Sequence, residues 1–186
     1  MRWKTDKNPY GLSVNSICNV LVACCGASKL QEFSTFGILI REIVLEGDMS
    51  SPVHAVQLSN GHYVISHSLP CNTVSIVGVS GKVVHRYVNS QQFGPGPLCG
   101  VQNIAVCKNG CLVAADSYRI LAMNPTLSCA HAMPLNFSDK PGLQSAWAVC
   151  FVESQGRLYV GEGRSTGSRL LVFDNVRNVG VHMKLS

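Results

Sequence analysis

Four residues with the chemistry of ligands or acid–base catalysts end four copies of one short phrase. The copies are Asn19-Val-Leu-Val-Ala-Cys-Cys25, Gly61-His-Tyr-Val-Ile-Ser-His67, Gly110-Cys-Leu-Val-Ala-Ala-Asp116 and Gly156-Arg-Leu-Tyr-Val-Gly-Glu162. Cys25, His67, Asp116 and Glu162 hold the same place in the four copies, and the His, the Asp and the Glu among them could hold a metal if the fold brings them together. The simpler reading is local: each carboxylate caps a turn or pairs with an arginine, Asp116 with Arg119 and Glu162 with Arg164 or Arg169. None of the six histidines stands in a His-x-x-x-His or His-Glu-x-x-His arrangement. No catalytic residue, metal site or cofactor is therefore assigned. Arg157, Arg164 and Arg169 gather around Tyr159, and Tyr118-Arg119 occupies the corresponding loop of the preceding copy. Basic residues among aromatics on one face suit RNA, whereas separate arginines in local pairs suit an ordinary surface.

The elements that would position these residues are short strands. Each phrase is preceded by an apolar run: Tyr10–Val14, Val53–Leu58, Val101–Val106 and Ala146–Val152. Ser59-Asn-Gly61, Lys108-Asn-Gly110 and Ser154-Gln-Gly156 separate run from phrase, and Asn-Gly between apolar runs is a strong hairpin signal. Third runs follow at Lys29–Phe33, Thr73–Val77, Arg119–Met123 and Arg169–Phe173, and weaker fourth runs at Ile38–Leu45 and Lys82–Val88. The first two runs are nearly continuous in apolar residues, which predicts strands buried on both faces, while the fourth alternates like an exposed edge. Trp3 and Trp147 are expected in the core, Trp147 because it lies within Ala146–Val152. Four short strands repeating every roughly 40–50 residues are the pattern of β-propeller blades.

Composition agrees. Of 186 residues, 46% are apolar and 13% charged, with 17 Gly and 8 Pro. This excludes a disordered chain and suits an all-β domain rich in turns. The net charge of +5 is scattered and does not by itself call for a polyanion. The nine cysteines include no Cys-x-x-Cys pair, and most lie in apolar runs, where a thiol acts as a small hydrophobe. The opening residues show no apolar signal core, so a reducing cytoplasm and free thiols are expected, with a Cys107–Cys111 bridge as the minor alternative. The longest apolar stretch, Ile17–Ala27, is too short to span a bilayer, and no membrane association is expected.

The unit running from Val101 to Met123, with Leu112-Val-Ala-Ala-Asp116 and Arg119-Ile120, resembles the NHL repeat. The fourth copy matches with Glu162 and Arg169-Leu-Leu-Val-Phe173; the first two depart, with Cys25 and His67 at the aspartate position and Thr73 at the basic one. Tyr10-Gly-Leu-Ser-Val14 and Ser51-Pro-Val-His-Ala-Val-Gln-Leu-Ser-Asn-Gly61 are similar to the propeller region of invertebrate tripartite-motif proteins. The resemblance implies an NHL-type β-propeller with about four blades of four antiparallel strands: a partial or open propeller, or a fragment of a six-bladed one. Blades are expected at 8–45, 46–89, 90–135 and 136–177 within a single domain, with 1–7 as an outer strand of a preceding or closing blade.

The same resemblance implies a non-catalytic module that binds protein, or RNA as a second class of partner. The expected binding face holds His67, Asp116, Tyr118, Arg119, Glu162, Arg164 and Arg169. Two alternatives follow from relatives: substrate recognition for a ubiquitin ligase whose RING and B-box lie outside this chain, and a propeller-type metal-dependent lyase. Unpaired terminal blades would also invite self-association.

Overall fold

The computed structural model describes residues 2–69, 72–87, 96–133, 135, 142–165 and 167–176. Most of the stretches 91–97 and 138–142, between the second and third and the third and fourth copies of the repeat, lies outside them. The chain is all-β and carries the four blades of a propeller fold. Blade one is β1 (Pro9–Val14), β2 (Val20–Cys24), β3 (Lys29–Phe33) and β4 (Leu39–Val44). Blade two is β5 (Ser50–Gln57), β6 (Tyr63–Leu69), β7 (Thr73–Val77) and β8 (Val83–Arg86). Blade three is β9 (Val101–Val106), β10 (Leu112–Asp116), β11 (Arg119–Met123) and β12 (Ala130–Ala132). Blade four is β13 (Ala146–Val152), β14 (Arg157–Arg164) and β15 (Gly167–Phe173), three strands among the described residues. Each sheet is antiparallel with strands in chain order. The chain divides into two compact units, Met1–Arg86 with the first two blades and Tyr87–Ser186 with the others. Residues 2–7 form no strand; instead Trp3, half-buried, stacks on Phe33 with ring centroids 6.0 Å apart.

The hairpins form where the turn residues require. Gly61 and Gly110 take φ of +84° and +81°, and the flanking Leu58–His62 and Cys107–Cys111 backbones bond at 2.8 Å. Asn60 and Asn109 accept the amides of His62 and Cys111 through their side-chain oxygens. In blade one the left-handed position is filled by Cys18, at φ +63°.

Blades pack through one repeated set of positions. In the first unit Leu21, Ala23, Leu30 and Ile43 of blade one meet Ala55, Tyr63, Ile65 and Val77 of blade two. In the second, Val113, Ala115, Ile120 and Ala122 of blade three meet Val149, Leu158 and Val160 of blade four. The most deeply buried strands are the second and third of blades one to three, not the first and second. The first strand has a ladder on one side only, and in β1 and β13 one face is also open, so Leu12, Val14 and Trp147 are exposed. Every described cysteine is a free thiol. Cys107 and Cys111 are buried on either side of their hairpin, and burial pushes the Cys107 thiol up to about 12. Among the described residues no helix is long and apolar enough to cross a membrane.

The contact between blades one and two is close enough to dictate a residue type. A Cβ on Gly11 would lie 2.2 Å from the Val53 carbonyl oxygen and 2.8 Å from the His54 Cα. Beside it the Ser13 hydroxyl donates to the Ala55 carbonyl at 2.6 Å, and the His54 Nε2–H donates to the Leu12 carbonyl at 3.1 Å. Gly11→Ala forces the blades apart and is expected to cost about 1–3 kcal/mol in a urea titration, as overpacking does. Burial holds the His54 imidazole below its usual value. As pH falls, the unfolded chain takes up this proton first, so the contribution is complete above about pH 6.5 and declines below it. The fall in stability between neutral and mildly acidic pH is expected to be smaller in His54→Gln than in the natural chain.

Candidate functional site

One irregularity positions the residues singled out in the sequence. In every blade the first strand carries an extra residue at the same place, a β-bulge in which two residues oppose one. Asp116 and Ala115 face Val101 and Asn103, leaving Gln102 over. Glu162 and Gly161 face Ala146 and Ala148, leaving Trp147. His67 and Ser66 face Pro52 and His54, leaving Val53. Cys24 and Ala23 face Pro9 and Gly11, leaving Tyr10. The blade-one counterpart of Asp116 is thus Cys24, not Cys25: Cys24 pairs with Lys29 as Asp116 pairs with Arg119, and Cys25 has already left the strand for a 3₁₀ turn.

At this position each blade ties down the segment that leads into it. In blade three the buried Asp116 accepts the amides of Cys99 and Gly100 through Oδ1 at 2.8 and 2.9 Å, while Oδ2 takes Arg119 Nε at 2.8 Å. Arg119 Nη2 continues to the Pro97 carbonyl at 2.6 Å. In blade four Glu162 accepts the Gln144 amide at 2.5 Å and pairs with Arg169 Nε; the buried Arg169 Nη2 finds no hydrogen-bond partner among the described residues. Blade two reverses the charges. The buried His67 contacts the Ser75 hydroxyl at 3.2 Å; Arg86 donates to the same hydroxyl at 3.4 Å and clamps Asp48, ahead of β5, at 2.8 and 2.5 Å. The Arg86 guanidinium holds the Asp48 carboxyl below the usual carboxylate range. In blade one Cys24 donates to Gln31 Oε1 at 3.4 Å, which also accepts the Asp6 amide at 2.9 Å, and Lys29 pairs with the Asp6 carboxylate at 2.6 Å.

The expected face is therefore divided. Asp116 with Arg119, and Glu162 with Arg169, are brought together as local ion pairs, and His67 is buried within its own sheet. Tyr118 stands clear on the β10–β11 turn, 68% exposed. The Arg164 side chain lies outside the described residues; its backbone ends β14, opposite Gly167. Arg157 pairs with Asp174 at 2.6 Å. Among the described residues no three His, Cys, Asp or Glu side chains gather as a metal-ligand group.

Trp147 corrects the expectation of a core tryptophan. It is the extra residue of its bulge and stands on the open face of β13, 54% exposed; Val53, at the same place in blade two, is buried, so the open face and not the bulge alone exposes the indole. Its indole lies against Gly163, where a Cβ would come within 2.8 Å of Nε1. With Gly161, Glu162, Ser168 and Arg169 it lines an open hollow of about 420 Å³. Gly163-Arg-Ser-Thr-Gly167 has the spelling of a serine-nucleophile elbow, but it joins two antiparallel strands, whereas an elbow joins a strand to a helix. A third buried carboxylate, Glu32, went unmarked in the sequence because no repeat position singles it out. Burial alone would raise its carboxyl, but hydrogen bonds from Asn19, Arg41 and Asn15 outweigh this and hold it below the usual range.

Solved structures share this fold. A Bacteroides caccae protein of unknown function superposes with a TM-score of 0.69 at 17% identity, over 90% of this chain and 64% of its own. A streptogramin B lyase gives 0.62 at 16%, over 91% and 55%. The virginiamycin B lyase of Staphylococcus aureus gives 0.60 at 16%, over 94% and 58%. The likeness is one of fold. The chain spans about 55–64% of the length of these proteins. No protein-family model matches it, and no curated protein matches it.

Asp116→Ala leaves two amides and a partly buried guanidinium without their acceptor. It is expected to cost about 3–5 kcal/mol, as breaking a buried pair does, read as a drop in the urea midpoint. The exposed change Tyr118→Ala is expected to leave that midpoint within about 0.5 kcal/mol.

Proposed function

We propose that this chain is a non-catalytic interaction module that binds a protein partner through the turns at the second-strand ends. The observation that carries the reading is the fate of the reactive side chains: Asp116, Glu162 and His67, the groups best suited to chemistry, are each engaged within their own blade. What they leave outward is an aromatic at a turn tip, Tyr118, beside a partly exposed Arg119. Tyrosine and arginine are the residue types that most often dominate protein contacts. Protein is favoured over RNA because Arg119, Arg157 and Arg169 each already face a carboxylate, so the cluster offers little uncompensated charge to a phosphate backbone. The resemblance to NHL repeats of tripartite-motif proteins is in keeping with this role. In a longer polypeptide bearing a RING and B-box the same turns would select substrates for ubiquitin transfer.

The test is affinity capture by the folded chain in parallel with Tyr118→Ala. A partner that survives ribonuclease treatment and binds Tyr118→Ala at least about tenfold more weakly is the expected result. Capture that ribonuclease abolishes would assign RNA instead, and a chain that turns over a substrate with Asp116 or Glu162 in direct contact would overturn the reading.

A further inference from the structure

The last strand of blade three sets a nucleophile against a base. Cys129 leads into β12, the edge strand of its sheet, and His131 is the middle residue of that strand. Residues two apart along a strand share a side. Ala130 between them is buried, while Cys129 is half-buried and His131 exposed. The Cys129 Sγ lies 3.2 Å from His131 Nε2. Blade four packs on blade three in the same unit, so the edge is open with its neighbour in place.

The turn before β12 fixes the thiol. Asn124 accepts the Cys129 amide through Oδ1 at 3.0 Å and donates through Nδ2 to the Thr126 and Ser128 hydroxyls at 3.0 and 2.7 Å. Its own amide donates to the Cys129 carbonyl at 3.1 Å. Both backbone groups of Cys129 are thus engaged, and little freedom is left to lose when the sulfur reacts. The other thiols lack one half of the arrangement. Cys24, Cys107 and Cys111 are buried away from any reagent. Cys99 is exposed, but its thiol meets the Pro97 carbonyl at 3.8 Å, which takes up no proton.

We propose that Cys129 is a thiol-exchange site with His131 as its base, and that it takes the disulfide of a small thiol. With its ring proton on Nδ1, His131 accepts the thiol proton at Nε2 as the Cys129 sulfur attacks one sulfur of the disulfide. A new S–S bond forms to that sulfur, the old one breaks, and the departing thiolate takes the proton from the imidazole. The products are a mixed disulfide on Cys129 and one free small thiol, and the incoming disulfide is the oxidant. Tyr87 is a further titratable group within electrostatic reach of the sulfur; burial pushes its phenol above the usual value, so it stays uncharged near neutrality. The site uses a different strand and turn from Tyr118, so it stands or falls apart from the proposed partner face.

The experiment exposes the folded chain to an excess of oxidised glutathione at neutral pH and follows each cysteine by peptide mass mapping. The exposed Cys18, Cys99 and Cys150 serve as references within the same molecule. Cys129 is expected to form its mixed disulfide at least about tenfold faster than any of the three. His131→Gln should remove that advantage and leave the three reference rates unchanged, with a thermal melt to check its fold. Unfolding the natural chain in urea should remove the advantage as well, because the fold holds the ring against the sulfur. A Cys129 that reacts no faster than the references, or an advantage that survives His131→Gln or unfolding, would overturn the inference.

Discussion

The structure depends on tying the lead-in of each blade to the end of its second strand. That end is buried, so any charge placed there needs full compensation; an unpaired ion in such a place costs several kcal/mol. Asp116 meets the requirement with two backbone amides and a guanidinium, and Glu162 does so with an amide and Arg169. The incoming segment is thereby held where the first strand must begin, and the ladder between first and second strands can form in one register only. Blades one and two achieve the same constraint with other groups. Gln31 and Lys29 hold Asp6, and Arg86 holds Asp48 with Ser75 and His67 behind it. The geometry persists while the chemistry drifts, which explains why the copies look so unequal as strings of letters.

The bulge is the second half of that constraint. It lets the first strand follow the lead-in and still present alternate residues to the neighbouring blade. Small residues then sit where backbones approach most closely, as at Gly11 against Val53 and His54. The residue left over falls outside the strand's alternation; on the open face of β13 that residue is Trp147, which walls a hollow beside Arg169. A fold built this way can be shared by proteins with unrelated roles, because the residues that build the blades and those that carry a function need not be the same. The likeness to lyases at 16% identity is a likeness of that scaffold.

Much of the architecture was legible in the chain itself. The runs Lys29–Phe33, Thr73–Val77, Val101–Val106, Arg119–Met123 and Ala146–Val152 coincide with β3, β7, β9, β11 and β13. Apolar periodicity and Asn-Gly turns are local signals, and four repetitions of them reinforce one another. The Asp116–Arg119 pair was legible too, since both partners flank one hairpin, whereas for Glu162 the sequence left Arg164 or Arg169 and the structure pairs it with Arg169. Cys24 was missed in favour of Cys25 because a one-residue offset is invisible until strands are paired. The Asp48–Arg86 clamp was missed because its members stand 38 positions apart.

The sequence alone therefore determined the repeat, the strands and the class of fold, all consequences of short-range pattern and backbone preference. Register, exposure and partnership were decided only by tertiary structure. Whether Trp147 points inward, which face of β1 is covered, and which carboxylate meets which cation depend on pairing between segments far apart in the chain.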